Sequence, residues 1–218
     1  YFDMDGILQT GTVIIDKKTY ELDTDGSLKG YTPKKKSSKK KSSDKSATSD
    51  KSGTSTAKKS VALTFDDGPS SFTGRLLDCL EENNAKATFF MVGTEIASFP
   101  DEVKRMKKLG CELGNHTYDH KDLATLSSDE ISSEIARVDE QLVNLTGEGA
   151  SVVRPPYGSV NDTVKSTVGT PMILWSIDTL DWKTQDVEST VEEVMNNVKD
   201  GSIILMHDIF STSVDAAE

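Results

Sequence analysis

Asp66 and Asp67 stand side by side, directly after the apolar run at 61–65 and directly before Gly68-Pro69. Neighbouring carboxylates repel, and on a strand successive side chains point to opposite faces. A doublet at the end of a strand therefore asks for a cation. The chain has three histidines, His116, His120 and His207, and each follows an apolar run. His116 and His120 sit in NHTYDHKD after CELG, and His207 sits in LMHD. Two more polar clusters have the same placement: Arg154 to Gly158 (RPPYG) after Val152-Val153, and Asp178 to Trp182 (DTLDW) after MILWSI. A lone histidine is usually structural. Three at one edge of a sheet are hard to attribute to packing.

Two histidines separated by three residues can converge on one ion, from a helical turn or from a curled loop. They need an anionic third ligand, and one carboxylate of the doublet supplies it. The spare carboxylate stays beside the ion, where it can accept a proton from water as a general base. Repulsion within the doublet is offset by the dication and by a second cation behind it, for which Arg154 is the natural candidate. The doublet thus reads as one ligand and one base. A different class, a non-haem Fe(II) oxygenase, also uses two histidines and a carboxylate. Against it stand the order of the ligands and an acid–base pair that oxygen chemistry does not need.

The elements that must position these residues alternate. Strands are expected at 61–65, 87–92, from Cys111, at 152–153, 171–177 and 202–206. Helices are expected at 73–82, 101–109 (stopped by Gly110), 128–145 and 187–199. The helix at 128–145 carries an apolar stripe at Ile131, Ile135, Val138, Leu142 and Leu145. The stripe of the helix at 187–199 is Val191, Val194, Met195 and Val198. Repeated β-then-α units imply parallel strands covered by helices, with the site at their C-terminal ends. Asp178 has a plain alternative reading as a turn hydrogen bond.

The chain has 218 residues, 35% hydrophobic, with net charge −11. Residues 29–60 hold eleven lysines and two aspartates, a balance of +9 that leaves −20 on the rest. An acidic body argues against nucleic acid as a partner. No apolar run is long enough to span a bilayer. The chain opens at Tyr1 without Met, as a fragment or processed form would, so a missing signal peptide says nothing about export. Cys79 and Cys111 are expected as two buried thiols rather than a pair or a zinc knuckle.

Three segments follow. Residues 31–58 are Lys- and Ser-rich and nearly free of apolar side chains. They are expected to be a disordered spacer, with a loose attraction to anionic wall polymers as its functional reading. In residues 1–30, Asp3-Met4-Asp5-Gly6 recurs as Asp23-Thr24-Asp25-Gly26 at a period of 20, and each unit reads as a hairpin turn. This resembles the cell-wall-binding repeats of Gram-positive surface proteins, related to choline-binding repeats. Thr12 follows Gly11 where those repeats often carry Trp, so a structural end-cap of an array is expected rather than a choline site.

Residues 59–218 carry TFDDGP, HTYDH, RPPYG, DTLDW and LMH in that order. These resemble the five motifs of the polysaccharide deacetylases, the NodB-homology family or carbohydrate esterase family 4. The resemblance implies an α/β fold, a distorted (β/α) barrel, and metal-dependent hydrolysis of N- or O-acetyl groups on sugars. It implies Asp66 as base, Asp67, His116 and His120 as metal ligands, and Arg154 as the group that orients Asp66. It further implies Tyr157 N–H at the oxyanion, Asp181 tuning His207 as acid, and Trp182 and Leu205 around the acetyl methyl. Zn²⁺ is the default ion, with Co²⁺, Ni²⁺ or Fe²⁺ as alternatives. The wall-binding repeat selects peptidoglycan N-acetylglucosamine over chitin or xylan, and a secreted, wall-associated protein. A non-catalytic wall-binding protein is the remaining alternative. DIFSTSVDAAE reads as the start of a helix, so the end of the barrel is expected to be cut short.

Overall fold

The computed structural model describes residues 11–15, 18–22 and 59–218, within two compact units, Tyr1–Lys59 and Ser60–Glu218. In the first unit, β1 (Gly11–Ile15) and β2 (Lys18–Leu22) pair antiparallel, with Val13 opposite Tyr20. The turns expected at 3–6 and 23–26, and the 31–58 spacer, lie outside the described residues.

The second unit alternates strands and helices. In chain order these are β3 (Ala62–Asp66), α1 (Thr73–Glu82), β4 (Thr88–Met91), α2 (Gly93–Ile96), α3 (Pro100–Leu109) and β5 (Glu112–Asn115). Then come α4 (Ser128–Thr146), β6 (Val152–Val153), α5 (Asp162–Thr167), β7 (Ile177–Asp178), α6 (Asp181–Thr184), α7 (Val187–Asn197), β8 (Ile203–His207) and α8 (Ser211–Ala217). The six strands of this unit pair in parallel in the order β6-β5-β4-β3-β8-β7. Parallel strands are covered on their faces, which is why they read as apolar runs. Phe65 and Phe89 stack at 5.5 Å between ring centroids, over Leu76, Leu77 and Leu80 of α1 and Val103 and Met106 of α3. Each such side chain contributes roughly 1.5–3 kcal/mol by leaving water. A second cluster, Leu123, Ile131, Val153, Val164 and Val168, lies under α4 and α5.

Helix ends follow their sequence signals. Ser127 and Glu130 form a capping box at the start of α4. Gly110 and Gly147 end α3 and α4 at φ 76° and 85°, which glycine adopts without strain.

The ladder of described strands is open rather than a closed barrel. The strand expected at 171–177 is reduced to a single parallel bridge of Met172 to Val153 and to pairing at Ile177, from which β7 continues to Asp178. Before that, Pro171 and Ile173 hydrogen-bond Val153 on one edge, and Ser176 donates to Ile203 on the other. The segment thus crosses between the two sheet edges. Its carbonyls at Ile173 and Leu174 accept from the Arg154 guanidinium, at 3.0 and 2.9 Å, instead of from a strand. A side chain plugs the seam that a ladder would have closed.

Three expectations need correction. The α7 stripe is largely exposed: Val191, Met195 and Val198 face outward, and Thr190 and Val194 make the inward contacts. Cys111 is buried but Cys79 only half-buried, and both are free thiols. Short α2, α5 and α6 were not foreseen, because a helix of four to six residues shows no apolar period.

Candidate active site

Register alone gathers the polar clusters. Asp66 is opposite Phe90 on β4 and His207 on β8, and Asn115 is opposite Val153. The residues after these positions therefore emerge at one edge. There a pocket of about 380 Å³ is lined by Asp66, Asp67, His116, His120, Tyr157, Trp182, Leu205 and His207, together with Trp175 and Asp178. The two other residues singled out in the sequence, Arg154 and Asp181, are fully buried behind it, Arg154 bonded to Asp66 and His116 and Asp181 bonded to His207 and Trp182.

Asp66 ends β3 and is almost fully buried. Its Oδ1 accepts from Arg154 Nη1 at 2.6 Å, while Oδ2 is 3.7 Å from His116 Nε2. Arg154 also donates to Thr64 Oγ1 at 2.8 Å and lies over the Phe90 ring at 4.0 Å. Burial pulls the Arg154 pKa down and the Asp66 charge opposes this.

Asp67 turns away from the strand at φ 72°. Its Oδ1 is buried and lacks a hydrogen-bond partner among the described residues. That oxygen lies 3.5 Å from His116 Nε2 and 3.2 Å from His120 Nε2. Burial acts to raise the Asp67 pKa, but contact with His120 and the charges of His116 and His207 outweigh it and hold it below the usual value.

His116 and His120 lie on a curled loop, not a helical turn, with Thr117 and His120 at φ 68° and 59°. His116 Nδ1 is 2.6 Å from the Arg154 carbonyl. A carbonyl only accepts, so Nδ1 carries the hydrogen and Nε2 presents a lone pair to the pocket. Burial lowers the His116 pKa against the pull of Asp66 and Asp67, which keeps that lone pair available. His120 Nδ1 is 3.2 Å from Tyr157 Oη.

This donor set suits a divalent ion. Ligand atoms of Asp67, His116 and His120 all lie within 4.8 Å of one another. Two ligands about 2.1 Å from a tetrahedral ion are roughly 3.4 Å apart, close to the separations of Asp67 Oδ1 from the two imidazoles. A buried carboxylate oxygen without a donor is costly, and a cation would satisfy it.

His207 and Asp181 form a second pair. Asp181 Oδ1 accepts from His207 Nδ1 at 2.8 Å and from Trp182 N at 2.8 Å, and Oδ2 accepts from His207 N at 2.8 Å. Burial would lower the His207 pKa, but the Asp181 hydrogen bond and charge, with Asp67 and Asp66, raise it above its ordinary value. Nδ1 is committed to Asp181, so Nε2 is the nitrogen left for the pocket. Tyr157 has φ 61° and an exposed ring, and Trp182 is half-exposed. Asp178 makes its plain turn bond, accepting from Leu180 N at 3.0 Å, and also lines the pocket.

Comparison with known proteins decides the family. Residues 53–170 match the family model described as Polysaccharide deacetylase. The chain belongs to the polysaccharide deacetylase family. Among characterised relatives, this deacetylase-family chain is 42% identical over 156 residues to a peptidoglycan-N-acetylglucosamine deacetylase of Listeria monocytogenes, covering 71% of this chain and 34% of that protein. It is 40% identical over 162 residues to a peptidoglycan-N-acetylmuramic acid deacetylase of Bacillus subtilis, covering 74% and 35%. The chain thus spans about a third of the length of these curated relatives. A solved structure described as T48 deacetylase with substrate is 44% identical, with TM-score 0.71, covering 73% of this chain and 80% of that one.

Sequence reasoning missed Trp175, which lines the pocket from the seam segment and reads in sequence as an ordinary strand residue. It also missed Asp208, fully buried next to His207. Asp208 accepts from the Thr73 hydroxyl and lies so close to Gly68 that a Cβ there would collide with its carboxylate. Gly68, just after the doublet, is thereby required by close approach.

Proposed function

We propose that this chain removes acetyl groups from N-acetylated cell-wall polysaccharide, with peptidoglycan N-acetylglucosamine as substrate. We assign Asp67, His116 and His120 to hold one divalent ion, Zn²⁺ by its preference for histidine and carboxylate ligands. Such an ion, when bound, polarises the acetyl carbonyl and lowers the pKa of water. The observation that carries the reading is the separation of roles within one pocket. Asp67 is turned to the imidazoles and unpartnered, Asp66 is clamped by Arg154, and His207 is clamped by Asp181.

Arg154 occupies Asp66 Oδ1, which leaves Oδ2 to take the proton of attacking water. The Tyr157 N–H is assigned to the oxyanion, where one such donor is worth roughly 3–4 kcal/mol. His207 Nε2 gives its proton to the departing amine, which otherwise leaves poorly; the raised His207 pKa keeps that proton in place. Trp182, Trp175 and Leu205 give the sugar and its acetyl methyl apolar walls.

The relatives named for peptidoglycan support that substrate over chitin or xylan. Residues 1–30 are proposed as a wall-binding repeat and 31–58 as a spacer with affinity for anionic wall polymers, on an exported, wall-associated protein. Among the described residues, no helix is long and apolar enough to cross a membrane. The test is acetate release from purified peptidoglycan, chitin oligomers and acetylated xylan, with chelator and with added Zn²⁺. Zinc-restored release, fastest from peptidoglycan, is expected. Release that ignores the chelator, or that favours xylan, would overturn the assignment.

A further inference from the structure

Glu134 sits on the buried face of α4 between Ile131 and Val138, and only 4% of its surface is exposed. Glutamate is almost never so buried unless it is paired. Its Oε2 accepts the backbone N–H of Tyr118 at 2.9 Å and of Asp119 at 3.1 Å, and Oε1 lies 3.3 Å from Lys121 Nζ. Those two N–H groups are in the middle of the loop between His116 and His120. With Thr117 and His120 at positive φ, the loop follows no regular hydrogen-bonding pattern, so its donors need an acceptor from elsewhere.

More of the loop is tied to the same helix. Asn115 Oδ1 accepts from Thr117 N at 2.9 Å, and its Nδ2 donates to the Ile135 carbonyl at 2.9 Å. The Arg137 guanidinium lies 3.2 Å from the centroid of the Tyr118 ring. The two imidazoles nonetheless differ in how they are held. The His116 ring is fixed through Nδ1 to the Arg154 carbonyl at 2.6 Å inside the core. The His120 ring has the Tyr157 hydroxyl at 3.2 Å, on a side chain that is 69% exposed. The direction of His120 is therefore set chiefly by its backbone, and Glu134 holds that backbone at the two residues immediately upstream, Tyr118 and Asp119.

The geometry points to Glu134 as a positioning residue of the metal centre. By capturing two consecutive N–H groups it fixes the pitch of the loop and delivers His120 Nε2 to Asp67 and His116. This rests on the metal-site reading above, and the test separates the two.

The full chain is compared with E134A, E134Q and D67A. For each, the Zn²⁺ dissociation constant is measured by competition with a chromophoric chelator, beside the melting temperature of the metal-free protein. Groups that orient metal ligands typically contribute 10–100-fold in affinity, and E134A is expected to bind zinc weaker by about that factor. E134Q, whose amide oxygen can accept the same two N–H groups, is expected to recover most of the loss. Folded E134A that binds zinc as wild type does, whatever its melting temperature, would overturn the inference. So would E134Q as weak as E134A. If D67A keeps wild-type zinc affinity, it is the metal-site reading that fails. Where E134A does not fold, E134D keeps the charge but withdraws the oxygens by one methylene, and the same two outcomes decide.

Discussion

Replacing Arg154 by Met tests how the base is held and how the seam is closed. The guanidinium is fully buried and donates to Asp66, Thr64 and the carbonyls of Ile173 and Leu174. Methionine fills similar space but donates nothing. Breaking a buried ion pair by removing one partner costs about 3–5 kcal/mol, because the other charge is left unpaired. The two carbonyls add a further cost of up to ~1–3 kcal/mol each. A domain has about 5–15 kcal/mol in total, so R154M should be marginally folded. Adding Asp66→Asn removes the stranded charge, and the double variant should regain about 2 kcal/mol or more of the loss. Both should be inactive. The assay is urea unfolding at 25 °C, followed by far-UV circular dichroism on chelator-treated protein. A loss below ~1 kcal/mol in R154M, or a double variant no more stable than R154M, would refute the reasoning.

Two further outcomes follow from titrating groups. His207 must carry a proton to act as acid, and Asp181 raises its pKa; Asp181→Asn should therefore move the alkaline limb of the kcat/KM profile to lower pH. An unmoved limb would remove Asp181 from that role. The Asp208 carboxyl is pushed up to about 7 by burial, against the Thr73 hydrogen bond, with Asp67 and Asp66 adding repulsion. Its folded pKa exceeds the unfolded value, so its favourable contribution is complete below about pH 4 and is lost as pH rises through about 7. The span is worth about 4 kcal/mol. In metal-free protein Asp208→Asn should flatten that fall, measured as unfolding free energy from pH 4 to 8; an equally steep fall in the variant would contradict it.

Much of the site was legible because its residues follow apolar runs of a parallel sheet. The strand order brings Asp66 and His207 to one register position, and all three histidines line one pocket. Helices α1 and α4 were legible from apolar spacing. What sequence does not carry is long-range hydrogen bonding. Arg154 was recognisable as a counter-charge for the doublet, but its capture of the seam carbonyls depends on two sheet edges meeting, which no local pattern records. Glu134 and Asp208 look like surface charges until the fold buries them. The α7 stripe misled in the opposite direction, since an apolar period shows a face and not what covers it.

The central claim is that neighbouring aspartates divide the labour, Asp67 gripping the ion and Asp66 moving the proton. Its most direct test is zinc stoichiometry on dialysed protein, beside acetate release from peptidoglycan, for wild type, Asp66→Asn and Asp67→Ala. One zinc per chain is expected in wild type and D66N and none in D67A, with acetate from wild type alone. Zinc retained by D67A, or full turnover by D66N, would contradict the account.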